Sequence, residues 1–288
     1  MNKTVQKIYD SHPSQVGDGF TIRRPLPNHG LKQISPFLLL DHAGPTEVPP
    51  SHYQRGVDEH PHRGFETVTI VYRGAIEHRD SAGHAGKIGP GDVQWMTAGS
   101  GVVHEEKHGK EFSEQGGSLE MIQLWINLPK AHKMTRPRYQ EITTDRIPVI
   151  KLPNGQIRII AGTQQQQTGP AQTFTDLTML DIHLVTGGTV DIELTDGHST
   201  GIYVLRGQLT INETHTASES QLAVLDPPGT GVSLQAETDT TLLLLSGEPI
   251  NEPVASYGPF VMNNSQELSQ AVQDYQQGKM GTLAAEIL

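Results

Sequence analysis

Two four-residue segments, Val71-Tyr72-Arg73-Gly74 and Val204-Leu205-Arg206-Gly207, recur at an offset of 204 − 71 = 133. A second pair, Gly99-Ser100-Gly101-Val102 and Gly229-Thr230-Gly231-Val232, keeps the chain order at an offset of 130. Two matches in order at nearly one spacing mark a duplicated unit. The segments between them are short β-rich runs, such as Thr67 to Tyr72, Leu119 to Leu128, Leu177 to Val185, Gly201 to Leu205 and Thr240 to Leu245. Turn residues drawn from 30 Gly and 19 Pro bound them, which predicts an all-β chain of sandwiches or barrels. Pro129, Pro137 and Pro148 interrupt the pattern where the copies join. The expected domains are residues 1–135 and 136–288.

One helix is expected near the carboxy terminus. Asn264 and Glu267 have the spacing of a capping box, Leu268, Ala271, Val272 and Tyr275 form an apolar face, and Gly278 stops it. Gln164 to Gln167 reads as a polar loop.

Fourteen histidines are unevenly placed: eleven precede residue 133, and only His183, His198 and His215 follow it. The chain has no cysteine. Disulfide frameworks, iron–sulfur clusters and thiol nucleophiles are therefore excluded, leaving histidine, carboxylate and carbonyl oxygen as metal ligands. Lys plus Arg number 21 against 32 Asp plus Glu, so 21 − 32 = −11. That charge opposes direct nucleic acid binding by long-range repulsion and leaves protein partners open. The start MNKTVQKIYD has no apolar signal core, and the longest aliphatic run is only Leu242 to Leu245. The expectation is a cytoplasmic protein with no membrane span.

His60-Pro61-His62 is the first local sign of chemistry. Pro61 biases His60 toward extended backbone, so imidazoles at i and i+2 project from one side of a strand. Some forty residues on, Gly99 to Glu106 enters a second run in which His104 and Glu106 share a face. Three imidazoles and a carboxylate then become available together. His108 lies on that face as well and is the alternative ligand, although one more pleat carries it roughly 6 to 7 Å further. In the second copy, offset 133 maps His60 and His62 to Glu193 and Thr195, and offset 130 maps His104 and Glu106 to Leu234 and Ala236. One metal site per chain is therefore expected, in the amino-terminal domain.

These residues carry a resemblance to the cupin superfamily and, within it, to the pirins. The resemblance lies in His60-Pro61-His62-Arg63-Gly64-Phe65-Glu66-Thr67-Val68, Gly83-His84-x-Gly86-Lys87, Pro90-Gly91-Asp92-Val93-Gln94-Trp95-Met96-Thr97-Ala98-Gly99 and Gln123-Leu124-Trp125. The resemblance implies two tandem cupin-type β-barrels, a bicupin, with a carboxy-terminal helix. In most cupins a glutamate of the first motif is a ligand, and Glu66 sits where it would fall. The pirin pattern instead implies the ligands His60, His62, His104 and Glu106, with Glu66 in a supporting place.

Such a donor set suits one divalent first-row ion, with iron, nickel, copper, manganese, cobalt and zinc all chemically open; the resemblance puts iron(II) first. Four protein ligands in an octahedral field leave two positions. The resemblance implies a quercetin 2,3-dioxygenase-like oxidoreductase that opens a flavonol or related enol with dioxygen and releases carbon monoxide. Glu106 would then be catalytic, accepting the 3-hydroxyl proton. The alternative is a non-catalytic regulator whose iron oxidation state governs binding to a transcription factor or a metabolic enzyme.

Overall fold

The computed structural model describes residues 1–283. Its strands form two seven-stranded sheets, two four-stranded sheets and two short hairpins. Each seven-stranded sheet belongs with one four-stranded sheet, so the duplication expected from the repeats is present as two like assemblies. In the first, the four-stranded sheet runs in the order Gly56–His62, Val102–His108, Ile76–Asp80, Ala85–Ile88. In the second, the order is Thr189–Glu193, Gly231–Ala236, Gln208–Ile211, His215–Ser218.

The two compact units do not follow the linear division at 135/136. The unit holding the histidine motifs comprises Pro13–Ile22, Leu39–Thr144 and the chain from Ile250 onward. The other comprises Met1–His12, Arg23–Leu38 and Asp145–Pro249. The cause is strand pairing: Val5–Asp10 ladders antiparallel with Gln221–Leu225, which draws the amino terminus into the second unit. Composition gives no warning of this, because pairing partners are chosen in space and not by sequence proximity.

The strand register also corrects the mapping of the duplicated site. His104 pairs with His60 and Val102 with His62, whereas Leu234 pairs with Val190 and Val232 with Ile192. The counterparts of His60 and His62 are thus Val190 and Ile192, at offset 130, and not Glu193 and Thr195. The link after the first strand is Arg63-Gly64 in one unit and residues 194–198 in the other, and those three extra residues, 5 − 2, account for the change of offset from 130 to 133. Val190, Ile192, Leu234 and Ala236 are all buried in the aliphatic core of the second unit, with Leu209, Ile211 and Leu242.

The helix spans Ser265–Gln276. Asn264 accepts a hydrogen bond from the Glu267 backbone N–H at 2.9 Å, and the Glu267 carboxylate accepts from the Asn263 N–H; Gly278 follows at φ 71°. Leu268, Ala271 and Val272 pack with Phe260 and Met280 against Val103, on the outward face of the His104 strand. Tyr275 departs from the expected apolar face and is 39% exposed. The polar loop at Gln164 to Gln167 closes as a tight hairpin with Gln165 and Gln166 both at positive φ, the conformation a two-residue turn between strands demands.

Candidate metal centre

The Val102–His108 strand is flanked on both sides, by Gly56–His62 and by Ile76–Asp80. His104, Glu106 and His108 point inward and are buried, while Glu105 and Lys107 are half-buried on the other face. Gly56–His62 is the sheet edge, which is where Pro61 is tolerated in a strand. A register shift between His104 and Glu106 on this side staggers Glu106 relative to the His-x-His pair.

Three imidazoles meet inside the barrel. The His60 and His104 ring centroids lie 4.3 Å apart and those of His62 and His104 4.8 Å apart, and the His60 and His62 Nε2 atoms approach to 3.1 Å. The Nδ1 atoms face away. His60 Nδ1 lies 2.7 Å from the Asp58 carbonyl oxygen and His62 Nδ1 3.3 Å from that of Pro259. A carbonyl only accepts, so each ring carries its proton on Nδ1 and turns the Nε2 lone pair to its neighbour. Two such lone pairs at 3.1 Å repel unless a cation lies between them. His104 Nε2 is buried with no protein partner. The donor set therefore fits a divalent metal held by three Nε2 atoms. Burial first, and then the neighbouring rings, hold His62 and His104 well below the ordinary imidazole pKa, keeping them in the neutral form that ligates.

Glu106 joins this group through His104. Among the described residues the ligand-capable atoms fall into two overlapping triples, His60-His62-His104 and His78-His104-Glu106, each with all atoms within 4.8 Å of one another. The Glu106 carboxylate is buried and fixed at both ends. Oε1 lies 3.0 Å from the Thr69 hydroxyl and 3.1 Å from Gln94 Nε2, and Oε2 accepts from Gln123 Nε2 at 3.1 Å.

His108 and Glu66 stand outside both triples. His108 is one pleat further along, edge-on to Phe20 at 5.0 Å and to Phe112 at 5.9 Å; burial, with Arg55 adding to it, lowers its pKa to about 4. Glu66 accepts from the Thr97 hydroxyl at 2.6 Å, and burial raises its carboxyl to about 7 against the pull of Thr97, Trp95 and Arg138.

Three features of the centre go beyond the sequence reading. His78 lies with its Nδ1 3.3 Å from His104 Nδ1. Gln94 and Gln123 sit inside the pirin-like motifs, yet nothing local marks them as donors to Glu106. Alternation had carried a signal for His78: in Ile76-Glu77-His78-Arg79-Asp80 the charged Glu77 and Arg79 alternate with the buried Ile76, His78 and Asp80. On the outward face a groove of about 680 Å3 runs past Asp58, Glu77, Arg79, Glu105 and Lys107. Four of its charges pair, Arg79 with Glu105 and Lys107 with Asp58.

The family model described as Pirin matches residues 19–126, and that described as Pirin C-terminal cupin domain matches residues 179–281. The chain belongs to the pirin family. This pirin is 48% identical, over 281 residues, to a Pseudomonas aeruginosa protein whose name is "putative quercetin 2,3-dioxygenase"; the match covers 96% of this chain and 98% of that protein. A crystal structure of quercetin 2,3-dioxygenase from Acinetobacter baumannii superposes with a TM-score of 0.95 at 45% identity, covering 99% of this chain and all of that one. The Escherichia coli pirin YhhW, solved in complex with nickel(II), shares the fold at a TM-score of 0.65 and 20% identity, over 84% of this chain and 98% of that one. Both halves of this pirin are cupin domains, as the resemblance implied. Among the described residues no helix is long and apolar enough to cross a membrane.

Proposed function

We propose that this pirin is a metal-dependent dioxygenase that opens quercetin or a related flavonol or enol with dioxygen and releases carbon monoxide. The supporting observation is the convergence of the His60, His62 and His104 rings, with the Nδ1 of His60 and His62 already engaged, beside the buried Glu106 carboxylate. Likeness to the Pseudomonas and Acinetobacter proteins points the same way. His60, His62, His104 and Glu106 would hold the ion, iron(II) first among the candidates. When bound, a divalent ion supplies Lewis acidity to an enolate oxygen and a route for electrons toward dioxygen.

The remaining work falls to the chain. Glu106 takes the proton of the substrate 3-hydroxyl, and the amides of Gln94 and Gln123 keep the carboxylate aimed while it does so. Phe65 and Trp125, 4.4 Å apart by ring centroid and both beside His62, keep that side of the centre apolar, which strengthens electrostatic contacts inside it.

The test is oxygen uptake and carbon monoxide release with quercetin, using protein reconstituted separately with iron(II), nickel, copper, manganese, cobalt and zinc. Glu106→Gln should retain metal and lose turnover by about 100-fold or more. Oxygen consumption by none of the reconstituted forms, together with redox-dependent capture of a protein partner, would replace this reading with that of a regulator.

A further inference from the structure

His104 differs from the other two histidines in what faces its Nδ1. The partner is not a carbonyl but a second imidazole, His78 Nδ1 at 3.3 Å. Two ring nitrogens share one proton, so one must donate and the other accept, and the direction decides whether His104 Nε2 is free to ligate. If His78 donates, His104 carries its proton on Nε2 and cannot bind an ion there.

Asp80 biases the direction. Its Oδ2 lies 3.5 Å from His78 Nε2, close enough for an ion-pair contact though outside hydrogen-bond geometry, and its side chain is buried. Oδ1 accepts from the backbone N–H groups of Ala82 and His84 at 2.9 and 3.0 Å, and the His84 ring lies 3.0 Å from Oδ2. A carboxylate held this way only accepts. A carboxylate beside Nε2 favours the His78 tautomer with its proton there, which leaves the Nδ1 lone pair for His104. His104 donates from Nδ1, and its unpartnered Nε2 is left to face His60 and His62. Tyr139 fixes the His78 ring plane, stacking on it at 5.0 Å and 11° and on His84 at 5.9 Å and 17°. It fits there because position 86 is glycine: a Cβ would stand 2.4 Å from the Tyr139 hydroxyl.

The duplicated unit supplies an independent observation. His104 pairs with Asp80 and Glu106 with His78; in the second unit Leu234 pairs with Ile211 and Ala236 with Leu209. The second copy therefore has aliphatic residues at the positions of His78 and Asp80 as well as at those of the ligands. A pair needed only to build the sheet would have no reason to differ together with the metal site.

We infer that His78 and Asp80 are positioning residues that set the tautomer of His104, so that His104 binds the ion through Nε2. The inference rests on the reading of His104 as a ligand. Outer hydrogen bonds of this kind change metal affinity by about 10- to 100-fold.

The experiment uses the full-length protein reconstituted with cobalt(II), read by its dissociation constant and by the exchangeable, hyperfine-shifted ring N–H resonances. Three such resonances are expected, from His60, His62 and His104. His78→Leu should weaken cobalt binding about 10-fold or more and displace or abolish one resonance, whereas His78→Asn, which restores an acceptor near Nδ1, should recover most of the affinity. Asp80→Asn is the second variant. Its amide oxygen takes the place of Oδ1 on the backbone donors, so its NH2 faces His78, inverts that ring and should weaken cobalt binding while the fold, followed by circular dichroism, persists. Dissociation constants within twofold of the parent for both His78→Leu and Asp80→Asn, with all three resonances unmoved, would overturn the inference. A fourth N–H resonance that vanishes in His78→Leu would overturn it too, by making His78 a ligand. Cobalt binding unchanged in His104→Ala would instead remove the metal reading on which it rests.

Discussion

The ring of His62 is anchored through Nδ1, 3.3 Å from the carbonyl oxygen of Pro259, a residue 197 positions further along the chain. The segment that supplies this carbonyl is itself tied down beside the site. The buried Lys133 ammonium donates to the carbonyls of Gly64 and Val261 at 2.8 and 2.9 Å and to Asn127 Oδ1 at 2.7 Å, and Arg63 pairs with Asp274 at 2.9 Å. Neutral histidine chemistry in one barrel thus depends on the end of the chain.

Lys133→Met leaves these acceptors buried without a donor and should cost about 2 to 4 kcal/mol. It should also weaken metal binding several-fold, because the turn that carries Pro259, just before the Phe260–Met262 strand, loses one of its ties to the Arg63-Gly64 link. Chemical denaturation of the apo protein reads the first effect and metal titration the second. Metal affinity equal to the parent would show that His62 holds its place without this strap.

Glu66 should make stability fall with rising pH. Its folded carboxyl is raised by burial to about 7 from 4.5, so the folded state holds the proton more firmly than the unfolded chain. The stabilisation is complete below about pH 4.5 and disappears as pH rises through 7. Its size is about 3 kcal/mol, at roughly 1.4 kcal/mol per unit. Glu66→Gln keeps the neutral shape, and its unfolding midpoint should match the parent at pH 5 and exceed it at pH 8. Equal pH slopes for the two proteins would place the proton elsewhere.

His108 acts in the opposite sense. Its folded pKa of about 4 lies below the ordinary 6.5, so the unfolded chain takes up a proton first and stability falls by about 3 kcal/mol as pH drops from 6.5 to 4. His108→Leu, placed between Phe20 and Phe112, should flatten this acid limb and keep its metal, whereas His104→Ala should lose it. Elemental analysis of both variants checks the contrast, and metal loss from His108→Leu would return His108 to the ligand set.

Metal should stabilise the protein through the amino-terminal site. At a free ion concentration 1,000 times the dissociation constant the gain is about 4 kcal/mol, and it should vanish in His104→Ala. Leu234→Ala, at the counterpart position, should cost about 2 to 5 kcal/mol by opening a cavity and leave the metal-dependent increment intact. Thermal unfolding with and without iron(II) or cobalt(II) compares the two.

The residues legible in the sequence are those whose geometry is local. His60 and His62 share a side because strand residues two apart do so, and His104 with Glu106 repeats that rule. His78 obeys it too, but nothing in its own strand says that it will stand beside His104, since that contact is made by pairing across 26 positions. Pro259 lay further out of reach, for it acts through a backbone carbonyl that carries no side-chain signature. Glu193 and Thr195 fall opposite the His-x-His pair only at the offset of the Val71 strand, which does not hold across a link three residues longer in the second unit.

That longer link marks where two copies of one architecture part ways. In the carboxy-terminal copy, Val190, Leu209, Leu234 and Ile211 fill the interior and need nothing more to exclude water. In the amino-terminal copy the same stations hold His60, His78, His104 and Asp80: the Nε2 atoms of His60 and His104 converge with that of His62 on a place that suits a positive charge, while His78 and Asp80 stand behind His104. An ion there would be more than a reagent. It would complete the interior of its barrel, so losing it should loosen this half of the chain while the aliphatic half stays closed.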